Sequence, residues 1–305
     1  MLKYMLIGLL ATTIYTASAQ KEGKTEEIPL WHGNMPDGPG PQGIEQVSAK
    51  GSVTNVSQPR LIIHLPQHPN GTAILVISGG GYAHIEQGNE SGPAANWLQA
   101  EGVTAFELIY RLPGEGWAKK TVPFQDAQRA MRLIRSMAAK YNLNPDRIGI
   151  LGFSAGGHLA GITETMPGWQ FYRGTDAIDN LSARPDFAAL IYPVLTMMPP
   201  YNQTHSRKEI IGNNPSEAKE KEYSVELHVN SNTPKTFLAQ ATDDPISSVN
   251  NSLLMDSALH KAGVADELHI FPSGGHGWGM GKPGSPVAAW PALFRKWAKQ
   301  NGFWE

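Results

Sequence analysis

The chain contains no cysteine. That excludes a disulfide framework, a thiolate nucleophile, a cysteine-type metal site and a cysteine-borne lipid anchor. It also lacks a long run of one charge. Lys and Arg number 25 against 27 Asp and Glu, so the formal net charge is −2 and the basic stripe that nucleic acid requires is missing. After the first twenty residues no stretch is apolar over the roughly 20 residues that a membrane crossing takes. No helical pair of metal-ligating histidines stands out, and neither a metal nor a cofactor is expected.

Glycine (32) and proline (23) are plentiful, which points to many turns and long loops rather than a helical bundle. With 41% hydrophobic and 17% charged residues, the chain can bury a sizeable core. Its start, M-L-K-Y-M-L-I-G-L-L-A-T-T-I-Y-T-A-S-A-Q, has one lysine, an apolar run and then small residues at Ala17 and Ala19. This fits a signal peptide over residues 1–19 cleaved after Ala19, and so an exported, periplasmic or secreted protein. The apolar stretch is short, and diluted by threonine, for a membrane anchor.

Residues 20–60 read as an extended lead-in on the surface with one or two edge strands. From residue 61 strands and helices alternate to the end, so 61–305 forms a single domain. Strand patterns cover 61–65, 73–78, 103–110, 147–151, 187–192, 236–240 and 267–271; helical patterns cover 93–101, 124–141, 155–163, 249–262 and 288–301. Along 124–141 the apolar residues recur every three or four positions, and Arg129, Arg132 and Arg135 are expected to face outward. This alternation implies an α/β fold, three-layered, with a mostly parallel central sheet flanked by helices. Ligands then bind at the carboxyl ends of the strands. Two irregular stretches, 166–185 and 193–232, are too long for simple connections and are expected to form loops or a partial lid.

Gly152-Phe153-Ser154-Ala155-Gly156 ends a predicted strand and opens a predicted helix. In a G-x-S-x-G turn the glycines relieve the crowding of a sharp strand-to-helix bend, and the serine hydroxyl is left exposed. Serine is a weak nucleophile and needs a base held by an acid. In this architecture they follow in the order serine, acid, histidine. Asp243 and Asp244 follow the strand 236–240, and His276 follows 267–271 in S-G-G-H-G-W-G. Asp243 is the expected acid because it comes soonest after its strand; Asp244, beside Pro245, is the alternative. The glycine triplet Gly79–Gly81 also follows a strand, and no G-K-[ST] follows it as in a phosphate loop. Its Gly80 and Gly81 region, with the N–H of Ala155, is the expected oxyanion hole.

Together these residues resemble the α/β-hydrolase-fold esterases, in particular the secreted bacterial group of acetyl xylan esterases and related carbohydrate esterases. The carriers are G-G-G-Y at 79–82, Y-R-L-P-G at 110–114, N-P-D-R-I-G-I-L-G-F-S-A-G-G-H-L-A at 144–160, R-P-D-F-A-A-L-I-Y-P-V at 184–194, T-D-D-P-I at 242–246 and G-G-H-G-W-G at 274–279. The resemblance implies Ser154 as nucleophile, His276 as base and Asp243 as its partner. Three departures touch the finer shape of the site: Ser78 stands where related esterases begin H-G-G-G, Gln240 replaces a histidine at the strand end, and Ile246-Ser247-Ser248 replaces V-V-P.

The expected reaction is hydrolysis of carboxylic esters through an acyl-enzyme, with an acetylated xylan or its oligosaccharides as substrate. Tyr82 and Trp278 are candidates for stacking on sugar faces, beside Trp117, Trp169 and Tyr172. Glu86 and Arg111 follow strand ends and either contact ligand or pair structurally. Feruloyl or other small acyl esters, a peptide substrate, and a non-catalytic carbohydrate-binding role are the alternatives. The last would be marked by a missing triad member, and none is missing.

Overall fold

The computed structural model describes residues 23–33 and 35–305; the segment 1–19 and its expected cleavage point lie outside these. The strands are β1 (Lys24–Pro29), β2 (Gln46–Val47), β3 (Val53–Thr54), β4 (Arg60–Leu65), β5 (Ala73–Ile77), β6 (Thr104–Ile109), β7 (Ile148–Phe153), β8 (Phe187–Ile191), β9 (Lys235–Ala241) and β10 (Asp266–Phe271). The helices are α1 (Ser91–Ala100), α2 (Val122–Ser136), α3 (Ser154–Thr165), α4 (His205–Ile211), α5 (Glu217–Glu222), α6 (Asn250–Ala262) and α7 (Trp290–Gln300). Eight strands form one sheet in the order β1-β4-β6-β5-β7-β8-β9-β10, and β2 and β3 form a separate ribbon. β4 runs antiparallel to both of its neighbours, and every pair from β6 to β10 is parallel.

Strand alternation builds two cores. Ala73, Leu75 and Ile77 of β5, with Ile148 and Ile150 of β7, pack on the face covered by α2, α3 and α6. Ile74, Val76, Leu151 and Phe153 point the other way, onto α1 and α7. The inner strands are buried on both faces, which is why they read as unbroken β-branched runs. The chain lays down β6 on one side of β5 and then returns to place β7 on the other. The loops leaving β5 and β7 therefore diverge, and a crevice opens between them at the carboxyl ends.

The described part of the lead-in, 23–33 and 35–60, is tied into the domain. β1 pairs with β4 along its whole length, and Leu30 and Trp31 are buried. The Trp31 indole N–H donates to Asp126 Oδ1 at 2.8 Å, and its ring lies between the guanidinium groups of Arg111 and Arg129, 5.5 and 5.4 Å from their centres.

Arg129 corrects the expectation that the arginines of α2 face outward: its side chain is fully buried. The stretch 166–185 wraps over this face of α2 and supplies Asp176 and Asp179, which accept from the Arg129 guanidinium at 2.6–3.0 Å. The spacing pattern of α2 alone cannot register a segment 47 and 50 residues downstream. Of the two irregular stretches, 166–185 thus fastens a helix, whereas 193–232 folds into α4 and α5 and sends Thr204, His205 and Ser206 to the crevice. Arg111 is structural as well, for its guanidinium meets Asp126 in a fully buried pair.

Candidate active site

Ser154 stands at the turn from β7 into α3 with φ of 51°, a left-handed conformation that L-residues other than glycine avoid. The turn closes because Gly152 and Gly156, two residues to either side, have no side chains. A Cβ on Gly152 would lie 2.2 Å from the Gly156 carbonyl oxygen, and one on Gly156 would lie 2.3 Å from that of Ile77. Both contacts are with backbone, which cannot swing aside. Gly156→Ala should therefore lower unfolding stability by about 3 kcal/mol, as measured by urea titration; a loss under about 1 kcal/mol would mean that α3 can shift to make room.

The serine Oγ lies 2.7 Å from His276 Nε2, and His276 Nδ1 lies 2.7 Å from Asp244 Oδ2. A carboxylate only accepts, so Nδ1 carries the proton and Nε2 is free to accept from the hydroxyl. The three residues come from the carboxyl ends of β7, β9 and β10, in the order expected.

The acid differs from the expectation. Asp243 does not meet His276; Asp244 does. After β9 the chain turns so that Asp244 points inward. Its Oδ1 accepts from the N–H groups of Ile246 and Ser247, both at 2.8 Å, and its Oδ2 also accepts from the Gln240 amide at 3.0 Å. Gln240, the residue in place of the usual histidine, thus helps to orient the acid from a fully buried position. Asp243 faces outward, and its Oδ1 accepts from the N–H groups of Gly274 and Gly275, both at 2.8 Å. It pins the glycine-rich loop that presents His276, where Gly275, Gly277 and Gly279 all have positive φ.

Gly80 and Gly81 border the crevice beside Ser154, and their N–H groups make no hydrogen bond within the described residues. Ala155 is the second residue of α3, where backbone N–H groups lack intrahelical partners. The glycines are required here too. A Cβ on Gly80 would meet the His84 carbonyl oxygen at 2.2 Å.

The two aromatic candidates lie elsewhere. Tyr82 is wholly buried, with φ of 63° turning its ring away from the crevice. Its hydroxyl donates to His158 Nδ1 at 2.9 Å, while His158 Nε2 donates to the Tyr223 carbonyl at 2.8 Å. Burial pushes the His158 imidazole down to about 4, so it is a neutral core histidine. Trp278 packs against Tyr192, ring centres 4.4 Å apart, behind the His276 loop, and does not line the crevice. Trp117 lies over Arg111, and Tyr172 hydrogen-bonds Asp179, so neither reaches the site.

The crevice has a volume of about 900 Å³. Besides the residues above, its walls carry Lys50, His84, Glu86, Asn89 and His205. Glu86 is a wall residue with partners of its own, accepting from Ser52 Oγ at 3.1 Å and standing 2.7 Å from His84 Nε2.

Sequence reasoning missed Glu90. Its carboxyl is buried at the back of the crevice, where Oε2 accepts from the Gly79 N–H at 2.5 Å and Oε1 from the Tyr192 hydroxyl at 2.9 Å. Tyr192 in turn accepts from the Gly279 N–H at 3.1 Å. One acid thereby joins the glycine triplet to the histidine loop. A lone glutamate in a helix-start pattern carries no signal of this. Burial raises Glu90 from the usual 4.5 to about 7, against the opposing pull of its two hydrogen bonds and of His276. A carboxyl that binds its proton more tightly when folded contributes stability that is full below 4.5 and is lost as pH rises through about 7. The wild type should thus lose roughly 3 kcal/mol relative to Glu90→Gln between pH 4.5 and 8, in urea titrations across that range. A difference between the two that stays constant with pH would contradict it.

A serine on a strained strand-to-helix turn, at the switch point of a mostly parallel sheet, defines the α/β-hydrolase fold, and this chain has that fold. Within that class, the BD-FAE family model matches residues 61–259, more than half of the chain, and the chain belongs to that family. It is similar to an acetylxylan esterase of Xylanibacter ruminicola, 33% identical over 245 residues, which cover 78% of this chain and 48% of that protein. It is also similar to endo-1,4-beta-xylanase B of Butyrivibrio fibrisolvens, 34% identical over 211 residues, covering 67% of this chain and 32% of that one. The chain therefore spans half or less of the length of these relatives. Among solved structures, an acetyl ester-xyloside bifunctional hydrolase from Caldicellulosiruptor lactoaceticus superposes with a TM-score of 0.77 at 35% identity, covering 94% of this chain and 100% of that one.

Proposed function

We propose that this protein is a serine carboxylic-ester hydrolase, exported from the cell, that removes acetyl groups from xylan fragments. The observation that carries the chemistry is the unbroken chain of contacts from Ser154 Oγ through His276 to Asp244, each 2.7 Å. In this reading His276 Nε2 takes the hydroxyl proton as Oγ attacks the ester carbonyl. Asp244 holds the imidazole in the required tautomer and stabilises its cation. The N–H groups of Gly80, Gly81 and Ala155 stabilise the oxyanion, and the α3 N-terminus adds its positive end. As the tetrahedral intermediate collapses and the bond from the acyl carbon to the sugar oxygen breaks, His276 gives its proton to that oxygen, which leaves as a hydroxyl. In the second half it takes a proton from water, whose oxygen attacks the acyl carbon, and returns that proton to Ser154 Oγ as the acyl–Oγ bond breaks, releasing acetate and free serine. Asp243 positions the histidine loop and transfers no proton.

The substrate class rests on the relatives and on the walls of the crevice. Lys50, His84, Glu86, Asn89 and His205 offer donors and acceptors to an alcohol bearing several hydroxyls, beside an apolar wall of Ala83, Val194 and Ile246. Export rests on the sequence of residues 1–19.

Turnover of acetylated xylo-oligosaccharides, aryl acetates, feruloyl esters and a peptide panel by the purified protein tests this. The expected order puts acetylated xylo-oligosaccharides first in kcat/KM. Preference for feruloyl esters would overturn the acyl group, and cleavage of peptides alone would overturn ester hydrolysis.

A further inference from the structure

A second cluster lies at the other end of the sheet from Ser154, where α6 hands over to β10. Asp256 and His260 are four apart on α6 and so share a face. Gly263 turns the chain with φ of 71°, and Asp266 opens β10. Each of the three offers one ligand atom, and these atoms all lie within 4.8 Å of one another.

Asp266 is the informative member. Its side chain is only 1% exposed, and no donor among the described residues meets either carboxylate oxygen in good hydrogen-bond geometry; its nearest polar neighbours are the Asp256 carboxyl, its own N–H and the His260 ring. A buried carboxylate without donors is costly and calls for an ion or water that the protein chain does not itself supply. His260 Nε2 stands 3.1 Å from Asp266 Oδ1, outside hydrogen-bond geometry. Two donors each about 2.1 Å from one ion at the tetrahedral angle stand about 3.4 Å apart, so this spacing matches neighbouring ligands of a shared ion. A simple imidazolium–carboxylate pair accounts for less. Asp256 Oδ2 lies 3.7 Å from the other ring nitrogen, Nδ1, and within 4.8 Å of the ligand atoms of both partners; one imidazolium offsets one carboxylate, whereas a divalent cation offsets both.

The geometry points to a divalent metal site of the zinc class formed by Asp256, His260 and Asp266, with its remaining position open to water. One imidazole and two carboxylates suit zinc and its first-row neighbours; calcium and magnesium prefer all-oxygen sets. His260 is 67% exposed, so the ion enters from solvent. The site is structural. It ties α6 to the edge strand β10, whose far end leads into the loop carrying His276.

The test uses the untagged full chain, stripped with EDTA and titrated calorimetrically with zinc chloride and, in parallel, magnesium chloride. The expected result is saturable zinc binding in wild type whose affinity falls at least about tenfold in both His260→Asn and Asp266→Asn. At a hundredfold excess over the wild-type Kd, zinc should raise the thermal midpoint of wild type by about 5 °C and that of a variant bound tenfold more weakly by no more than about half as much. His260→Asn alters an exposed residue and keeps the test valid if Asp266→Asn folds poorly. Zinc affinity unchanged in His260→Asn, an equal response to magnesium, or no saturable zinc binding in wild type would each overturn the proposal.

Discussion

Ser154→Ala should lower ester turnover by at least about 10⁴-fold while leaving the thermal midpoint nearly unchanged. The loss is large because, among the described residues, the Ser154 Oγ is the nucleophilic atom that meets His276 Nε2. The oxyanion donors remain in the variant and leave a small residual rate. The stability half of the prediction follows from the backbone. Alanine carries the same Cβ as serine, so the strain at φ of 51° persists. Ser154→Gly, which removes that Cβ, should lose as much turnover yet gain about 1 kcal/mol of stability. Parallel kinetics and thermal melts of the two variants check both halves. A loss of less than about 100-fold in either would end the proposed mechanism, and a glycine variant no more stable than the alanine one would show that the turn is not strained.

The second large effect separates two adjacent aspartates. Asp244→Asn should cost about 10³–10⁴ in kcat. An amide at that position can offer His276 an N–H as readily as an oxygen, and the tautomer that leaves Nε2 unprotonated is no longer enforced. The buried Gln240 amide would also face a changed partner. Asp243→Asn should cost about tenfold or less, because an amide oxygen can still accept from Gly274 and Gly275, though more weakly than a charged one. The comparison is internal: same loop, same substitution, neighbouring positions. Equal losses at both would contradict the division of labour between them.

That pair also shows where sequence reading stops. The positions of the inner strands, the serine turn and the histidine loop are legible because each depends on short-range pattern: β-branched runs, glycines flanking Ser154, glycines around His276. The choice between Asp243 and Asp244 depends instead on how the turn after β9 folds. Asp244 caps the N–H groups of Ile246 and Ser247, which swings its other oxygen towards His276. No spacing rule carries that rotation. Tyr82 failed for a similar reason, since a positive φ after the glycine triplet sends its ring under the site instead of into it. Arg129 failed because its partners lie in an irregular segment whose path over α2 is a tertiary fact. Glu90 could be seen only after folding, where burial and two loops converge on one carboxyl.

The Trp31 ring between Arg111 and Arg129 bears on where this folded unit begins. The family match starts at residue 61, and trimming the chain to that point would look natural from the match alone. It would also strip β1 from the long flank of β4, take the Trp31 indole N–H from Asp126, and take the Leu30 carbonyl from the Arg129 guanidinium. Two guanidinium groups packed for the dark interior would then face an open groove, and the outer strand of the sheet would present its bare edge to solution. A cut at residue 61 would thus uncork the domain, because the segment ahead of the matched region stops a buried groove and a sheet edge at once.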